Sequence, residues 1–313
     1  MSHNGGEGAS ARPLATAHPF MTAYNTMMTS TENNSPPAPA AWAALERLGT
    51  RHALPCPDGE VVWRRFGAGP PLLLLHGGHG SWLHWVRNIE ALSQHRTLWL
   101  PDMPGFGESS NLAGPPHGPN RLERLVDALL AGLDTLIGPG AAIDLAAFSF
   151  GALVAAELAQ RKTVRSMALL GAGGHGGPRR MTEKLLDWRF GPVASRSAAL
   201  RQNLGSFMLH APEAVDAMAL AVYQAQCQAT RFRSKSISMV GGLQSRLASY
   251  EGRLLLVWGE HDVTAVPQDL APAIAATRSG WEWRLLAGGG HWVQYECHEP
   301  VNQLLEDWFG ADV

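Results

Sequence analysis

Three side chains that are far apart in the chain, those of Ser149, Asp262 and His291, have the types needed for nucleophilic catalysis. A serine hydroxyl is a weak nucleophile until a neighbouring histidine removes its proton, and a carboxylate orients that histidine and stabilises its charged form. Each of the three residues follows a short apolar run and stands close to glycine. The sequence therefore predicts a serine nucleophile, a histidine base and an aspartate acid, each on a loop beyond a strand.

Ser149 lies in the segment AFSFG, which separates a strand-like run at 141–146 from a helix-like run at 152–161. A serine at such a tight strand-to-helix turn is held out as a nucleophile. The strand and helix backbones nearly touch there, so the residues two positions before and after the serine must be small, as Ala147 and Gly151 are. An isolated serine in this setting is more often a helix N-cap, but the other motifs favour catalysis.

The acid and the base come from the last third of the chain. The apolar run at 253–258 leads into GEHD and places Asp262 on a loop at a strand end. The run at 281–287 leads into GGGHW and places His291 on the next such loop. The glycines beside the histidine lack the strand, phosphate loop and helix order of a nucleotide site, so they indicate a hinge.

Each assignment has a rival. Glu260 and Asp144 compete with Asp262 for the role of acid, but Asp144 lies inside a predicted strand that precedes the nucleophile. A carboxylate there is in the wrong place to support a base that arrives from the last loop. His298 competes with His291 and falls in the following helix, where a surface position is expected.

A glycine-rich segment, HGGHGS, follows the apolar run at 71–75 and predicts a buried strand that ends in a flexible turn. Glycine lets backbone N–H groups approach a reacting oxygen, and two such donors form an oxyanion hole. We assign these donors to Gly78 and Phe150. We expect His76 to brace the loop by hydrogen bonding, whereas His79 is either a substrate-binding residue or an ordinary loop residue.

Together with the turn DMPGFG at 102–107, these segments resemble the α/β-hydrolase superfamily, from about residue 51 to the C-terminus. The order Ser149, Asp262, His291 is the triad order of that superfamily. The resemblance implies a Ser-His-Asp hydrolase that forms an acyl-enzyme and needs no cofactor.

Strand-like runs alternate with helix-like runs along most of the chain. Asp58 and Gly59 form the turn signal of a hairpin between runs at 52–56 and 60–66. Helical patterns occupy residues 81–92, 121–137 and 152–161. This alternation predicts an α/β fold with a mostly parallel central sheet, helices on both faces and catalytic loops at the carboxyl ends of the strands.

Between residues 171 and 250 strand signals stop and helical patterns replace them. The predicted helices span residues 181–190, 198–209, 212–228 and 236–248, with Pro212 suited to a first helical turn. Superfamily members with a cap insert a helical lid at this point of the chain. We therefore expect a disordered tail over 1–45, a hydrolase core over 46–175, a helical lid over 176–249 and the rest of the core over 250–313.

The bond that is cleaved is a separate question. The segment HWVQYE at 291–296 is similar to the ending of the meta-cleavage-product hydrolases, which cut a carbon–carbon bond in carboxylate-bearing ring-fission products. In those enzymes a lid arginine binds the substrate's acid group, a role open here to Arg231 or Arg233, although a solvated basic patch is an equally good interpretation. Phe148 stands where those enzymes usually carry asparagine, which favours a drier pocket. Phe148 and Trp292 complete the expected substrate contacts.

We therefore place hydrolysis of a small carboxylic ester first and carbon–carbon hydrolysis second. A protein of another class, which binds a small ligand on the same fold, is a third hypothesis. A binding protein would not need a complete set of nucleophile, base, acid and oxyanion donors, so the sequence favours an enzyme. Fold analogy alone does not establish function.

Composition excludes several other functions. A net charge of −2 with 17% charged residues gives no basic surface for nucleic acid or anionic lipid, and no apolar run approaches the ~20 residues that span a bilayer. Cys56, Cys227 and Cys297 are too few for a disulfide framework, which favours the cytoplasm. His76 and His79 lack further ligands at metal-binding spacing, so we expect no metal site. The expected partner is a small-molecule substrate.

Overall fold

The computed structural model describes residues 39–181 and 183–310, together with Met1. Its strands are β1 (Thr50–Cys56), β2 (Gly59–Phe66), β3 (Pro71–Leu75), β4 (Thr97–Pro101), β5 (Ile143–Phe148), β6 (Val164–Leu170), β7 (Arg253–Gly259) and β8 (Trp281–Leu286). They form one sheet in the order β1-β2-β4-β3-β5-β6-β7-β8. β2 runs antiparallel to both of its neighbours, and the pairs from β4 to β8 are parallel.

The helices surround this sheet and also form the segment between β6 and β7. They are α1 (Ala40–Leu48), α2 (Ile89–Leu92), α3 (Arg121–Ile137), α4 (Phe150–Leu158), α5 (Val193–Phe207), α6 (Ala217–Ala229), α7 (Ser234–Ser238), α8 (Leu243–Leu247), α9 (Pro267–Ala275), α10 (Val293–Glu296) and α11 (His298–Gly310). Two short 3-10 helices cover Trp82–Trp85 and Pro212–Ala214. Among the described helices none is long and apolar enough to cross a membrane.

The central strands are apolar on both faces because helices cover both faces of the sheet. In β3, Leu73 and Leu75 join one hydrophobic core, whereas Leu72 and Leu74 join a second core on the opposite face. Side chains alternate across a strand with period two, so one continuous apolar run supplies both cores. The predicted α/β-hydrolase architecture, with a mostly parallel sheet between helical layers, is confirmed.

The opening hairpin forms at the predicted turn. Cys56 pairs with Gly59 across a two-residue connection, and Gly59 has a φ of +132°. That backbone angle lies in the region where side chains other than hydrogen are strained, so glycine is the suitable residue. The antiparallel pairing of β1 and β2 follows directly.

Several helical predictions between the strands were wrong in detail. Residues 183–190 form no helix. Instead the side chain of Asn203 accepts the N–H of Leu186 at 2.7 Å and donates to the carbonyl of Leu186 at 2.8 Å, so the backbone of Leu186 is satisfied without a helix. The helix predicted at 236–248 is two short helices, α7 and α8. Gly241 and Gly242, with φ values of +88° and +97°, end one helix before the next begins.

Other helical boundaries also shifted, whereas the helix predicted at 121–137 forms over the same residues as α3. The helix predicted at 81–92 is a 3-10 turn followed by the short α2. The one predicted at 212–228 is a 3-10 turn that begins at Pro212, followed by α6, whose N-cap Asp216 accepts the N–H of Ala219 at 2.7 Å. A capping carboxylate satisfies a free N–H at the start of a helix, so α6 begins there.

The predicted tail needs a correction at its end. Residues 2–38 lie outside the described residues. Residues 40–45, however, belong to α1, in which Leu45 is buried in the same core as Phe66. An apolar residue that packs on the core stabilises a helix where composition alone indicated disorder.

We expect two glycine-to-alanine changes in helices to have opposite effects. In α3 a Cβ at Gly132 would lie 2.6 Å from the buried Trp63 ring, whereas in α5 a Cβ at Gly205 would meet nothing closer than 3.7 Å. Overpacking costs about 1–3 kcal/mol, and alanine in a helix gains up to about 1 kcal/mol. Gly132→Ala should lower the free energy of unfolding by about 1–2 kcal/mol, and Gly205→Ala should raise it slightly in urea titrations. Equal effects of the two changes would contradict this packing.

Candidate active site

Ser149 sits on the turn between β5 and α4 with a strained backbone. Its φ of 52° and ψ of −117° place a non-glycine residue outside the favoured regions, at a cost of about 1–3 kcal/mol. The turn is fixed on both sides, because the N–H of Ser149 donates to the carbonyl of Leu170 at 2.9 Å and its carbonyl accepts the N–H of Gly173 at 2.9 Å. The strain holds the half-buried hydroxyl out of the turn.

The close approach of strand and helix requires glycine near Ser149. A Cβ at Gly151 would lie 2.6 Å from the carbonyl oxygen of His76, and a Cβ at Gly77 would lie 3.0 Å from the Cβ of Ser149. Real Cβ atoms do not approach backbone oxygen that closely, so any larger residue at 151 would displace the glycine-rich loop. The prediction that this position must be small is confirmed.

The structure brings the three sequence-predicted catalytic residues into one chain of hydrogen bonds. His291 Nε2 is 3.0 Å from Ser149 Oγ, and His291 Nδ1 is 2.8 Å from Asp262 Oδ2. Burial by itself raises the pKa of Asp262, but the contact with His291 and the donors of Thr264 outweigh it, so the pKa lies below its ordinary value. Asp262 is therefore an ionised carboxylate that fixes the proton of the imidazole on Nδ1 and leaves Nε2 to accept from serine.

Thr264 is a site residue that the sequence did not reveal. Its N–H and its hydroxyl both donate to Asp262 Oδ1 at 2.7 Å, and its Oγ1 lies 3.2 Å from His291 Nδ1. One carboxylate oxygen is thus occupied by threonine, which leaves the other for histidine. A hydroxyl residue two positions after an aspartate is the available signal, since aspartate commonly bonds the backbone two residues on.

The predicted oxyanion donors belong to Gly78, on the glycine-rich loop, and to Phe150, the residue after Ser149. Phe150 is the first residue of α4, so its N–H has no acceptor within the helix. A Cβ at Gly78 would lie 3.8 Å from the Cβ of Phe150. Neither N–H donates to an acceptor among the described residues. Both donors are free to bind an oxygen that gains negative charge.

Two buried histidines brace the glycine-rich loop. His76 Nδ1 donates to the carbonyl of Gly77 at 2.8 Å, and its Nε2 accepts the N–H of Met103 at 3.0 Å, which confirms the predicted brace. His84, which the sequence analysis missed, accepts the N–H of Gly77 through Nδ1 at 3.1 Å. Burial lowers the pKa of His76 to about 4, and burial together with neighbouring histidines lowers the pKa of His84 well below its ordinary value.

Asp102, at the start of the DMPGFG turn, supports the loop from the other side. Its carboxylate accepts the N–H groups of Trp82 at 2.9 Å and Glu108 at 3.0 Å. Burial raises its pKa to about 6. A Cβ at Gly107 would lie 2.2 Å from this carboxylate, so the turn requires glycine there. The motif was visible in the sequence, but its function as a brace was not.

A cavity of about 880 Å³ lies between the glycine-rich loop and the helical segment that joins β6 to β7. Phe207 lines it and packs its ring 5.4 Å from the ring of His291. The cavity wall also carries positive and titratable groups: Lys184, Arg189, Arg233, His79 and Cys227. Burial, followed by the charges of Arg233, Arg189 and Lys235, lowers the pKa of His79, and burial raises the pKa of Cys227 to about 12.

The structure separates the other expected substrate contacts into two groups. His79 and Arg233 lie on the cavity wall. Arg231 instead binds Asn111 Oδ1 at 2.6 Å and the carbonyls of Ala229, Gly107 and Ser109, so it joins the helical segment to the DMPGFG turn and not to the cavity. Asn111 and main-chain carbonyls occupy its guanidinium, so the structure offers no support for the prediction of Arg231 as a substrate contact.

Phe148 and Trp292 lie behind His291 and do not line the cavity. The ring of Phe148 is 4.9 Å from that of His291. Trp292 is fully buried, stacks on Tyr295 and donates Nε1–H to the carbonyl of His84 at 2.9 Å. Trp292 thus joins the segment after His291 to the 3-10 turn that contains His84. A substrate contact for Phe148 or Trp292 stays a prediction. In residues 39–181 and 183–310 no group of three His, Cys, Asp or Glu side chains is arranged to hold a metal ion.

Comparison with known proteins places this chain in a family. Residues 72–304 match the alpha/beta hydrolase family, and the protein belongs to that family. The 2-hydroxy-6-oxo-2,4-heptadienoate hydrolase of Pseudomonas putida is 25% identical over 266 residues, which cover 79% of this chain and 91% of the relative. The prediction of an α/β-fold hydrolase is thereby confirmed at the level of class.

Solved structures show the same fold. An esterase from Thermogutta terrifontis has a TM-score of 0.65 and 22% identity, with 83% of this chain and 98% of the esterase covered. A meta-cleavage product hydrolase from Pseudomonas fluorescens IP01 has a TM-score of 0.62 and 21% identity, with 80% and 94% covered.

The lowered histidine pKa values predict a loss of stability in mild acid. In the unfolded chain His76 titrates near pH 6.5, but in the folded state its pKa is about 4. Between these values the unfolded state binds more protons than the folded state. The contribution of His76 to the free energy of unfolding is therefore fully present above about pH 6.5 and is lost as the pH drops. We expect His76 to contribute up to about 1.4 kcal/mol per pH unit.

Urea unfolding at pH 7.5 and pH 5 measures this effect. His76→Gln keeps a hydrogen-bonding side chain without a titrating group, so the difference between the two pH values should be smaller than in the wild type. An equal difference in both proteins would contradict the assignment of a neutral, buried His76.

Proposed function

We propose that this protein is a serine hydrolase that cleaves a small carboxylic ester through an acyl-enzyme on Ser149. The observation that carries the proposal is the continuous chain from Ser149 Oγ to His291 at 3.0 Å and from His291 to Asp262 at 2.8 Å. The N–H groups of Gly78 and Phe150, which donate to no acceptor among the described residues, would complete the set of catalytic groups as oxyanion donors. Each element required for acyl transfer is therefore supplied by this chain's own residues.

In the first half of the reaction His291 Nε2 accepts the Ser149 proton while Oγ attacks the ester carbonyl carbon. The carbonyl oxygen gains a negative charge and accepts hydrogen bonds from Gly78 and Phe150, each donor contributing about 3 kcal/mol to the transition state. Asp262 stabilises the imidazolium that forms. The bond to the leaving oxygen then breaks, and the imidazolium protonates that oxygen.

The second half returns the enzyme to its starting state. His291 accepts a proton from a water molecule, which attacks the acyl carbon of the ester on Ser149. The same donors hold the oxyanion, the bond to Oγ breaks, and the imidazolium returns the proton to serine. A carboxylic acid leaves. No cofactor enters either half of the proposed reaction.

Hydrolysis of a carbon–carbon bond is the second candidate, favoured by the positive groups on the cavity wall. Arg233 and Lys184 face the same space as Gly78, where they are suited to a substrate that carries a carboxylate. The P. putida relative is named as a hydrolase of such a compound. The ester stays first because the sequence has Phe148 where the carbon–carbon hydrolases usually carry asparagine. A pure binding protein is the least supported hypothesis, because binding needs no complete triad.

Two further expectations belong to this proposal. We propose that residues 176–249 act as a lid over the cavity, since Phe207 and Arg233 of this segment line it. We also propose a cytoplasmic location with a small-molecule substrate. Cys56, Cys227 and Cys297 are free thiols, which supports a reducing compartment.

A substrate panel should distinguish the bond classes. We expect turnover of p-nitrophenyl esters from acetate to octanoate to exceed turnover of a dienoic ring-fission product. Ser149→Ala should lose at least about 10³-fold in kcat, because the nucleophile is absent. Preference for the dienoate would favour carbon–carbon hydrolysis. Rates in Ser149→Ala close to those of the wild type would refute the acyl-enzyme.

Substitution of Arg233 and of Arg231 should have different effects on KM when the charge of the substrate is varied. With mono-p-nitrophenyl succinate, Arg233→Gln should raise KM about 10-fold, the equivalent of one modest ion pair, and leave KM for p-nitrophenyl butyrate unchanged. Arg231→Gln should lower the melting temperature and leave both KM values near wild type, because its guanidinium binds main-chain carbonyls. Equal effects of Arg233→Gln on the two esters would contradict a carboxylate-binding role.

A further inference from the structure

The carboxylate of Glu296 binds two segments that are distant in sequence. Its Oε2 accepts the N–H of Gly290 at 2.6 Å, on the residue before the catalytic histidine. Its Oε1 accepts the N–H groups of His210 at 2.9 Å and Ala211 at 2.7 Å, on the connection that follows α5. Hydrogen bonds to an ionised acceptor are roughly twice as strong as neutral ones. One side chain thus joins the catalytic loop to the helical segment.

The backbone of the two segments is in direct contact at this point. The N–H of Trp292 donates to the carbonyl of Met208 at 2.7 Å. A Cβ at Gly290 would lie 2.7 Å from the backbone nitrogen of His210, so glycine is required for the segments to approach. The GGG run before His291 therefore does more than provide a hinge, because its last glycine admits the helical segment.

Residues 207–211, which we term the lid anchor, also contact His291 and the residue that precedes Asp262. Phe207 packs on the ring of His291 and lines the cavity. His210 stacks on His261 with ring centroids 3.6 Å apart, and His261 directly precedes Asp262. The lid anchor thus contacts the loop of the base and the loop of the acid. A displacement of this segment would disturb both.

We propose that Glu296 is a positioning residue that holds the lid anchor against the catalytic loop and thereby keeps His291 in line with Ser149. This inference rests on the proposed function, because it assigns Glu296 to the same reaction. The carboxylate contacts neither the nucleophile nor the base. It acts through the N–H of Gly290 on one side and those of His210 and Ala211 on the other.

The chemistry of the side chain predicts graded effects. Glu296→Gln retains one carbonyl oxygen for the lid anchor or for Gly290, but its NH₂ group cannot accept the remaining N–H. Glu296→Ala leaves all three N–H groups without this acceptor. Glu299→Gln is the matched control, because Glu299 is an exposed residue in the first turn of the adjacent α11.

The test measures hydrolysis of p-nitrophenyl butyrate and p-nitrophenyl acetate by the full chain. Active sites are counted with a fluorophosphonate, so that kcat is calculated per folded, reactive protein molecule. Misplacement of a catalytic group by about 1 Å can cost about 10²-fold. We expect kcat per active site to fall about 10- to 100-fold in Glu296→Ala, with KM for the short acetate within about twofold of wild type. Glu296→Gln should recover part of kcat, and Glu299→Gln should match wild type.

Amide hydrogen exchange provides a readout independent of activity. Exchange at residues 208–211 and 290–292 should accelerate in Glu296→Ala and remain unchanged in Glu299→Gln. Wild-type kcat per active site in Glu296→Ala would overturn the positioning role, even if its melting temperature fell. A wild type that hydrolyses no ester, together with accelerated exchange in Glu296→Ala, would instead refute the proposed function and still support Glu296 as the link between the lid anchor and the loop of His291.

Discussion

The strained backbone of Ser149 is the constraint on which the rest of the site depends. Its unfavourable dihedral angles persist only because the strand β5 and the helix α4 on either side are buried and because glycine surrounds the turn. The carbonyl of His76 approaches Gly151 too closely for any side chain, so the glycine-rich loop and the turn that carries Ser149 occupy fixed positions relative to each other. This fixed spacing also brings Gly78 and Phe150 together as the two proposed oxyanion donors.

The parallel sheet explains why residues from three parts of the chain meet. β5, β6, β7 and β8 are consecutive neighbours, so their carboxyl ends lie along one edge and deliver Ser149, Asp262 and His291 to it. At this edge, burial favours the neutral form of a titratable side chain unless neighbouring groups offset it. Asp262 remains ionised because His291 and Thr264 offset its burial. His76, which has no such partner, stays neutral and serves as a hydrogen-bonding brace.

The sequence predicted the features that local patterns determine. Apolar runs located the strands, and glycine motifs located the turns, since both signals come from neighbouring residues. Thr264, His84 and Glu296 escaped prediction because their roles depend on contacts between segments that are far apart in the chain. The failed helix at 181–190 has the same cause: Asn203 satisfies the backbone of Leu186 from another element. Tertiary contacts overrode the local helical pattern.

The central claim is that Ser149 is a nucleophile activated by His291 and Asp262. The most direct test is intact-mass analysis after reaction with a fluorophosphonate, followed by peptide mapping, on the wild type and on Ser149→Ala and Asp262→Asn. The account predicts one adduct per chain on the Ser149 peptide, none in Ser149→Ala and much slower labelling in Asp262→Asn. An adduct on another residue, or no adduct on the folded wild type, would contradict it.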